Sequence, residues 1–153
     1  MTPEIKFYKR TDPYGFLSNF WRSEQRVSDI GGTKTYKTNE HYYQSRKAAR
    51  SDISIWIASA PKAWHAMKAG RNLRPEETTW DWDQIKVDVM LRGLRAKFQN
   101  ESLRLMLLWT GDAILKEDSP TDMFWGGTLL GSQNMLGKLL MQVREEIKQG
   151  DQY

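Results

Sequence analysis

The chain has 153 residues, the length of one ordinary domain, and its 39% hydrophobic and 27% charged residues permit a packed core and exclude wholesale disorder. Lys and Arg number 23 against 19 Asp and Glu, a net charge of +4 that allows an anionic partner without requiring one. The absence of cysteine excludes a disulfide framework, a thiolate nucleophile and a thiolate metal site, and two histidines, His41 and His65, leave little for any other metal.

No internal repeat or linker interrupts the chain, so one domain is expected over residues 1–153. No stretch reaches the ~18 apolar residues of a membrane span, and residues 1–10 carry charges where a secretory leader would be apolar. A cytoplasmic protein without a membrane partner is the expectation. Residues 5–9 read as a strand, ended by the turn Asp12-Pro13-Tyr14-Gly15. The turn Asp29-Ile30-Gly31-Gly32 joins Arg26-Val27-Ser28 to Thr33-Lys34-Thr35-Tyr36 as a hairpin. Thr38 or Asn39 caps a helix reaching about Arg50, with Glu40 in the first turn, where a carboxylate suits the dipole. Asp52 is expected to cap a short helix through Ala58, and Pro61 to start another ending at Gly70.

Val87, Met90, Leu91, Leu94 and Phe98 keep helical spacing across residues 83–98. Asn100 caps the next helix, where Leu103, Leu105, Met106, Leu107, Leu108 and Trp109 read as buried on most sides and Gly111 as the stop. Residues 113–117 predict a strand. After a loop over 118–131, Leu136, Leu139, Leu140, Val143 and Ile147 form one face of a last helix. The sum is an α+β fold, a mostly helical single domain with a small β-sheet.

Four segments carry side chains with chemical potential. On the helix after Thr38, Glu40, Tyr43, Gln44 and Lys47 stand at i, i+3, i+4 and i+7 and share one stripe. Spacing alone favours a solvated Glu–Gln–Lys ladder there. Thr121-Asp122-Met123-Phe124-Trp125-Gly126-Gly127, running on to Asn134 and Gly137, offers a stacking ring, a carboxylate and close backbone approach at glycines. The amides preceding the last helix are expected to be able to hold an anion. Gly15-Phe16-Leu17-Ser18-Asn19-Phe20-Trp21 is an apolar turn with Asn19 inside it, and Arg71 ends a helix where it could take a phosphate or cap carbonyls.

Read in order, these segments resemble the NADAR superfamily, the YbiA-like proteins. The residues that carry the resemblance are Gly15 with Leu17-Ser18-Asn19-Phe20, Asn39-Glu40-His41-Tyr42-Tyr43-Gln44 with Lys47, and Gly70-Arg71. They continue in Trp82 with Val89-Met90, Leu94-Arg95-Ala96-Lys97-Phe98, Asp122 with Trp125-Gly126, and Gly131, Asn134, Leu136-Gly137-Lys138-Leu139-Leu140-Met141 and Arg144. Tyr36 stands where the family often has Trp, and Thr128-Leu129-Leu130 is less polar than usual.

The resemblance implies an N-glycosidase that needs no cofactor and no metal. Its substrate is either a phosphorylated ribosyl-amino-pyrimidine of the early riboflavin pathway or ADP-ribosylated guanine, with DNA as the partner in the second case. Cleavage of an anomeric C–N bond leaves an oxocarbenium-like sugar, for which a nearby carboxylate is the natural stabiliser. Glu40, Lys47 and Asp122 are the catalytic candidates. Asn19, Tyr43, Gln44, Arg71, Trp82, Trp125, Gly126 and Asn134 are the substrate-binding candidates, with Trp125 stacking on the heterocycle. Trp21 and Trp82 are expected as pocket walls and Trp56, Trp64, Trp80 and Trp109 as packing. His41, about 100° round the helix from Glu40, reads as a core residue. A non-catalytic ADP-ribose or nucleic-acid binding module is the reading from another class; dispersed basic residues speak against it.

Overall fold

A computed structural model describes residues 1–150, so the last three residues of the domain expected over 1–153 lie outside the described residues. The chain forms two compact units, one built from Met1–Trp21 together with the chain from Phe98 onward, the other from Arg22–Lys97. Among the described residues, six α-helices and two two-stranded sheets make this an α+β fold with helices in the majority, as expected.

In the first unit, β1 (Glu4–Phe7) pairs in parallel with β4 (Ile114–Glu117), Glu4 opposite Ile114 and Phe7 opposite Glu117. A one-turn 3-10 helix, Gly15–Leu17, follows β1 and buries Phe16 and Leu17. Helix α5 (Glu101–Trp109) is capped as predicted, the Asn100 side chain accepting from the Leu103 amide at 3.0 Å. Its burial differs from expectation. Only Leu103 and Leu107 are buried, while Leu105 and Trp109 face solvent, because a helix packed on one side hides one stripe and not its whole circumference. Helix α6 (Met135–Lys148) buries Leu136, Leu139, Leu140 and Val143, whereas Ile147 is only half-buried. Buried Arg144 donates to Thr110 Oγ1 at 2.8 Å and to the Ala113 carbonyl at 2.9 Å, tying α6 to the chain between α5 and β4.

In the second unit, β2 (Arg22–Asp29) and β3 (Gly32–Thr38) form the antiparallel hairpin, turning through Ile30-Gly31 with Gly32 at φ +95°. The strands run longer than the sequence signals, and a register shift between Arg22 and Gln25 places Glu24 at φ +46°. Helix α1 (Asn39–Lys47) then packs against β3, α2 (Ser51–Ala58), α3 (Ala63–Arg71) and α4 (Trp82–Lys97). It ends at Lys47 rather than near Arg50, because Ala48 turns extended and pairs with Thr78.

Two cap assignments shift. Arg50, whose side chain makes no capping bond and instead donates to Asp52, is the N-cap of α2, and Asp52 sits inside the first turn accepting from its neighbour Ile53. Lys62 rather than Pro61 precedes α3, which runs to Arg71. Asp29 at the hairpin's end holds α1, accepting from the Tyr42 hydroxyl and from Arg46 Nε at 2.7 Å. Burial opposes ionisation of this carboxyl, but those two donors and the Ile30 amide together outweigh it and keep its pKa below the ordinary value.

Candidate active site

The stripe on α1 is not solvated. Glu40 is 7% exposed and Gln44 5%, Tyr43 is buried, and Lys47 is half-buried. A helix surrounded on several sides buries its polar face with its apolar one, and such groups stay only where hydrogen bonds hold them. Gln44 Nε2 donates to Glu40 Oε1 at 2.9 Å, the i, i+4 contact that the spacing implied. Gln44 Oε1 is buried with no hydrogen-bond partner among the described residues.

Gly70 of α3 creates the room for that amide, since a Cβ there would fall 1.9 Å from Gln44 Oε1. One residue on, Arg71 lies near enough to Lys47 for its charge to help lower the Lys47 pKa. Burial is the larger cause, Arg71 and Lys86 add to it, and Asp83 acts in the opposite sense. Tyr43 packs its ring on Trp82, with centroids 5.0 Å apart. Lys47, Trp82 and Asp83 line a groove of about 380 Å³ together with Thr78, Thr79 and Trp80. Thus Glu40, Tyr43, Gln44, Lys47, Arg71 and Trp82 all belong to the second unit, around the buried helix and its end.

His41 is buried as read from the sequence. Its ring nitrogens meet Thr38 Oγ1 at 2.7 Å and the Ala60 carbonyl at 2.9 Å, and Thr38 Oγ1 also caps α1 by accepting from the His41 amide. Burial lowers the His41 pKa, so the neutral ring donates from Nε2 to Ala60 and accepts at Nδ1 from Thr38.

The first unit carries Asn19, Asp122, Trp125, Gly126 and Asn134. Asn19 follows the 3-10 turn, where Ser18 Oγ accepts from the Phe20 amide at 3.1 Å. Asp122 Oδ1 accepts from the Phe124 amide at 3.0 Å and the Trp125 amide at 2.8 Å, so one of its oxygens is committed to shaping the loop. Trp125 is half-buried, edge-on to Phe124 with centroids 4.9 Å apart. Gly126 is required by close approach, because a Cβ would come within 2.4 Å of the Asp122 carbonyl. Asn134, left-handed at φ +52°, donates from Nδ2 to the Leu115 carbonyl at 2.9 Å.

The anion cradle expected before α6 is not present. The amides of Gln133, Asn134, Met135 and Leu136 donate to the carbonyls of Met123, Gly126, Phe124 and Trp125 at 2.8–3.2 Å, so the returning loop satisfies the donors a ligand would need. The indoles also divide differently from expectation. Trp82 is buried, but Trp56, Trp64, Trp80 and Trp109, expected as packing, are all exposed, Trp80 to 92%. Each lies at a helix end or in a connection, where no second layer covers it. Trp80, expected as packing, instead stands in the connection between Pro75 and α4, two residues before buried Trp82.

Among the described residues no helix is long and apolar enough to cross a membrane, and no three His, Asp or Glu side chains are grouped as a metal site would need.

The chain is 41% identical to an N-glycosidase of Nostoc punctiforme over 94% of this chain and 92% of that protein. It is 37% identical to the N-glycosidase YbiA of Escherichia coli over 94% and 88% of the two chains. It is also 41% identical to the chloroplastic riboflavin biosynthesis protein PYRR of Zea mays over 94% of this chain, which spans a quarter (25%) of that protein's length. The solved structure of E. coli YbiA superposes with a TM-score of 0.81 at 34% identity, covering 99% of this chain and 90% of that one. N-glycosidases are hydrolases of N-glycosyl bonds, and proteins so named match this chain over nearly its whole length. The NADAR domain model matches residues 6–148, and the chain belongs to the NADAR family.

Proposed function

We propose that the protein is an N-glycosidase that hydrolyses the bond between a phosphorylated ribose and an amino-pyrimidine, the class of intermediate used early in riboflavin synthesis. The observation that carries this reading is the buried Glu40 carboxylate, held by Gln44 and followed along the same helix stripe by Lys47. As the base departs, positive charge develops at the anomeric carbon, and a carboxylate in a water-poor site stabilises it far more than bulk water would. In the balanced step, a water oxygen bonds to the anomeric carbon and the C–N electron pair leaves with the base nitrogen. The water's proton passes by way of Glu40 to that nitrogen.

Lys47 holds the phosphate or a ribose hydroxyl, and Arg71 adds a second cation for the phosphate. Tyr43 and Trp82 form an aromatic wall on the same unit. Asp122 enters the proposal as the residue that fixes the loop carrying Trp125 rather than as a proton carrier, since its Oδ1 is engaged by loop amides. Asn19, Trp125, Gly126 and Asn134 remain substrate-binding candidates on their own unit. The maize relative's printed name supports a riboflavin intermediate as substrate.

The test is a product assay. Purified protein given the ribosylated amino-pyrimidine phosphate releases ribose 5-phosphate, and Glu40→Gln lowers turnover by roughly 10²–10⁴-fold, the usual scale for losing a general base. Full turnover in that variant removes Glu40 from the chemistry. A second arm offers ADP-ribosylated guanine in DNA. Release of ADP-ribose in that arm alone overturns the metabolite as substrate, and binding without product in either arm overturns the enzyme reading.

A further inference from the structure

Trp80 is an indole left almost wholly in solvent on a segment that is not loose. The connection between the 3-10 turn Pro75–Glu77 and α4 is pinned along the end of α1. The Ala49 amide donates to the Glu77 carbonyl at 2.8 Å, the Thr79 amide to the Lys47 carbonyl at 2.8 Å, and the Trp82 amide to the Thr79 carbonyl at 3.0 Å. Ala48 and Thr78 form a bridge in the same stretch. The backbone on both sides of Trp80 is therefore fixed, and fixed beside Lys47.

The groove that Trp80 borders is mixed in chemistry. Trp82 offers a buried aromatic wall backed by Tyr43, Thr78 and Thr79 line it with hydroxyl-bearing side chains, and Lys47 supplies a cation. Asp83 lies on its rim with Lys86 3.5 Å away, which partly neutralises that carboxylate. Its volume of about 380 Å³ falls in the range of small-molecule sites, which run from ~300 to ~1,000 Å³. An open π-face on a rigid backbone, next to hydroxyls and a cation reinforced by Arg71, matches a planar heterocycle joined to a phosphorylated sugar. The rings cannot serve equally. Trp82 is already covered by Tyr43, and Trp125 stands edge-on to Phe124, whereas Trp80 is 92% exposed.

We infer that Trp80 is a stacking platform for the heterocycle of a phosphorylated nucleoside, with Lys47 at the phosphate-bearing side of the same groove. The ligand class deepens the proposed N-glycosidase reading and rests on it, but the platform is testable by binding alone. Stacking is tolerant of base identity because every base has a π-face, so ordinary nucleotides serve as probes.

The experiment measures calorimetric binding of adenosine 5′-monophosphate, cytidine 5′-monophosphate and ribose 5-phosphate to the full chain at one ionic strength. The wild type binds both nucleotides about tenfold or more tighter than ribose 5-phosphate. Trp80→Ala loses most of that advantage while its affinity for ribose 5-phosphate is unchanged, and Trp80→Phe keeps the larger part. Trp109→Ala, removing an indole 83% exposed on the other unit, changes neither. Because Trp80 is exposed, its removal leaves the melting temperature within a degree or two of the wild type.

Equal affinity of the wild type for nucleotides and ribose 5-phosphate overturns the platform, as does an unchanged nucleotide affinity in Trp80→Ala. Parallel loss of nucleotide and ribose 5-phosphate binding also overturns it, since that is a structural effect. So does a concentration-dependent dimer that Trp80→Ala abolishes, because the indole is then an interface residue. Base-dependent binding without release of any base in the product assay retains the platform and removes the N-glycosidase reading. Turnover with Trp80-independent binding does the reverse.

Discussion

Helix α1 and the loop before α6 both carry polar side chains, and they use them in different ways. On α1 the backbone is satisfied by the helix itself, so Gln44 donates to Glu40 and keeps its Oε1 buried without a hydrogen-bond partner among the described residues. In the loop over 118–134 there is no such ladder. Ser119 Oγ accepts from the Asp122 amide, Asp122 Oδ1 from Phe124 and Trp125, and Asn134 Nδ2 donates to Leu115. The same residue types therefore bond to each other where the backbone is regular and to the backbone where it is not.

The largest expected effect that separates the two regions is a crossed pair of variants. Glu40→Gln keeps an oxygen for the Gln44 donor and fills the same volume. It should lose turnover by roughly 10²–10⁴-fold with little change in melting temperature. Asp122→Ala orphans two loop amides at a cost of about 1–3 kcal/mol, seen as a melting shift of roughly 2–12 °C, with activity falling only as the loop is lost. Thermal melts and initial rates on both proteins check this. If Asp122→Ala matches Glu40→Gln in rate loss while melting like the wild type, Asp122 is a catalytic group and the contrast fails.

A smaller effect tests how α1 keeps its polar stripe buried. Gly70→Ala places a methyl where Gln44 Oε1 now sits, 2.6 Å from Gln44 Cδ and 3.0 Å from its Cβ. The amide must turn away from Glu40, so turnover should fall about tenfold and stability by about 1–3 kcal/mol. At Gly31, in the exposed hairpin turn, an added Cβ meets only the flexible end of Lys34, at 3.6 Å. Gly31→Ala should leave turnover unchanged. Equal behaviour of the two variants would show that the Gln44–Glu40 bond does not matter to the rate.

This contrast also marks what was readable in the sequence. The Asn100 cap, the hairpin around Ile30-Gly31 and the stripe Glu40, Gln44, Lys47 are local patterns, set within a few residues, and the structure contains them. The solvated ladder and the packed Trp109 do not hold, because each depends on what lies across the fold, while the Asp52 cap gives way locally to Arg50. Gly70 on another helix decides that Gln44 is buried, and the absence of a covering layer leaves Trp109 in water. The anion cradle before α6 failed for the same reason, since carbonyls returning from 123–126 occupy its donors.

A pH shift of intermediate size distinguishes His41, beside the stripe in sequence but structural in role. Its pKa is lowered in the folded chain, so the unfolded chain binds the extra proton first as pH falls through about 6.5. Stability therefore declines from neutral pH downward until the folded ring itself titrates. His41→Gln, which retains hydrogen-bonding groups but cannot titrate, should be less stable at pH 7 and show a weaker dependence between pH 7 and 5. Chemical denaturation across that range measures it, and an unchanged slope in His41→Gln would assign the dependence to other groups.

The smallest effect concerns Lys47, whose charge the proposed chemistry uses. Burial, then Arg71, then Lys86 hold its pKa below the ordinary lysine value, with Asp83 opposing. Turnover that needs the ammonium should fall as pH rises through this lowered pKa, giving a basic limb below ~10.4. Arg71→Gln removes a like charge, so the limb of kcat at saturating substrate moves to higher pH. Asp83→Asn removes the opposing charge, so it moves lower. Both shifts should be a fraction of a unit, because burial, the larger cause, is untouched by either change. A limb that ignores both substitutions belongs to another group. A loss confined to KM in Arg71→Gln, with the limb unmoved, makes Arg71 a phosphate contact and leaves Lys47 without a part in the rate.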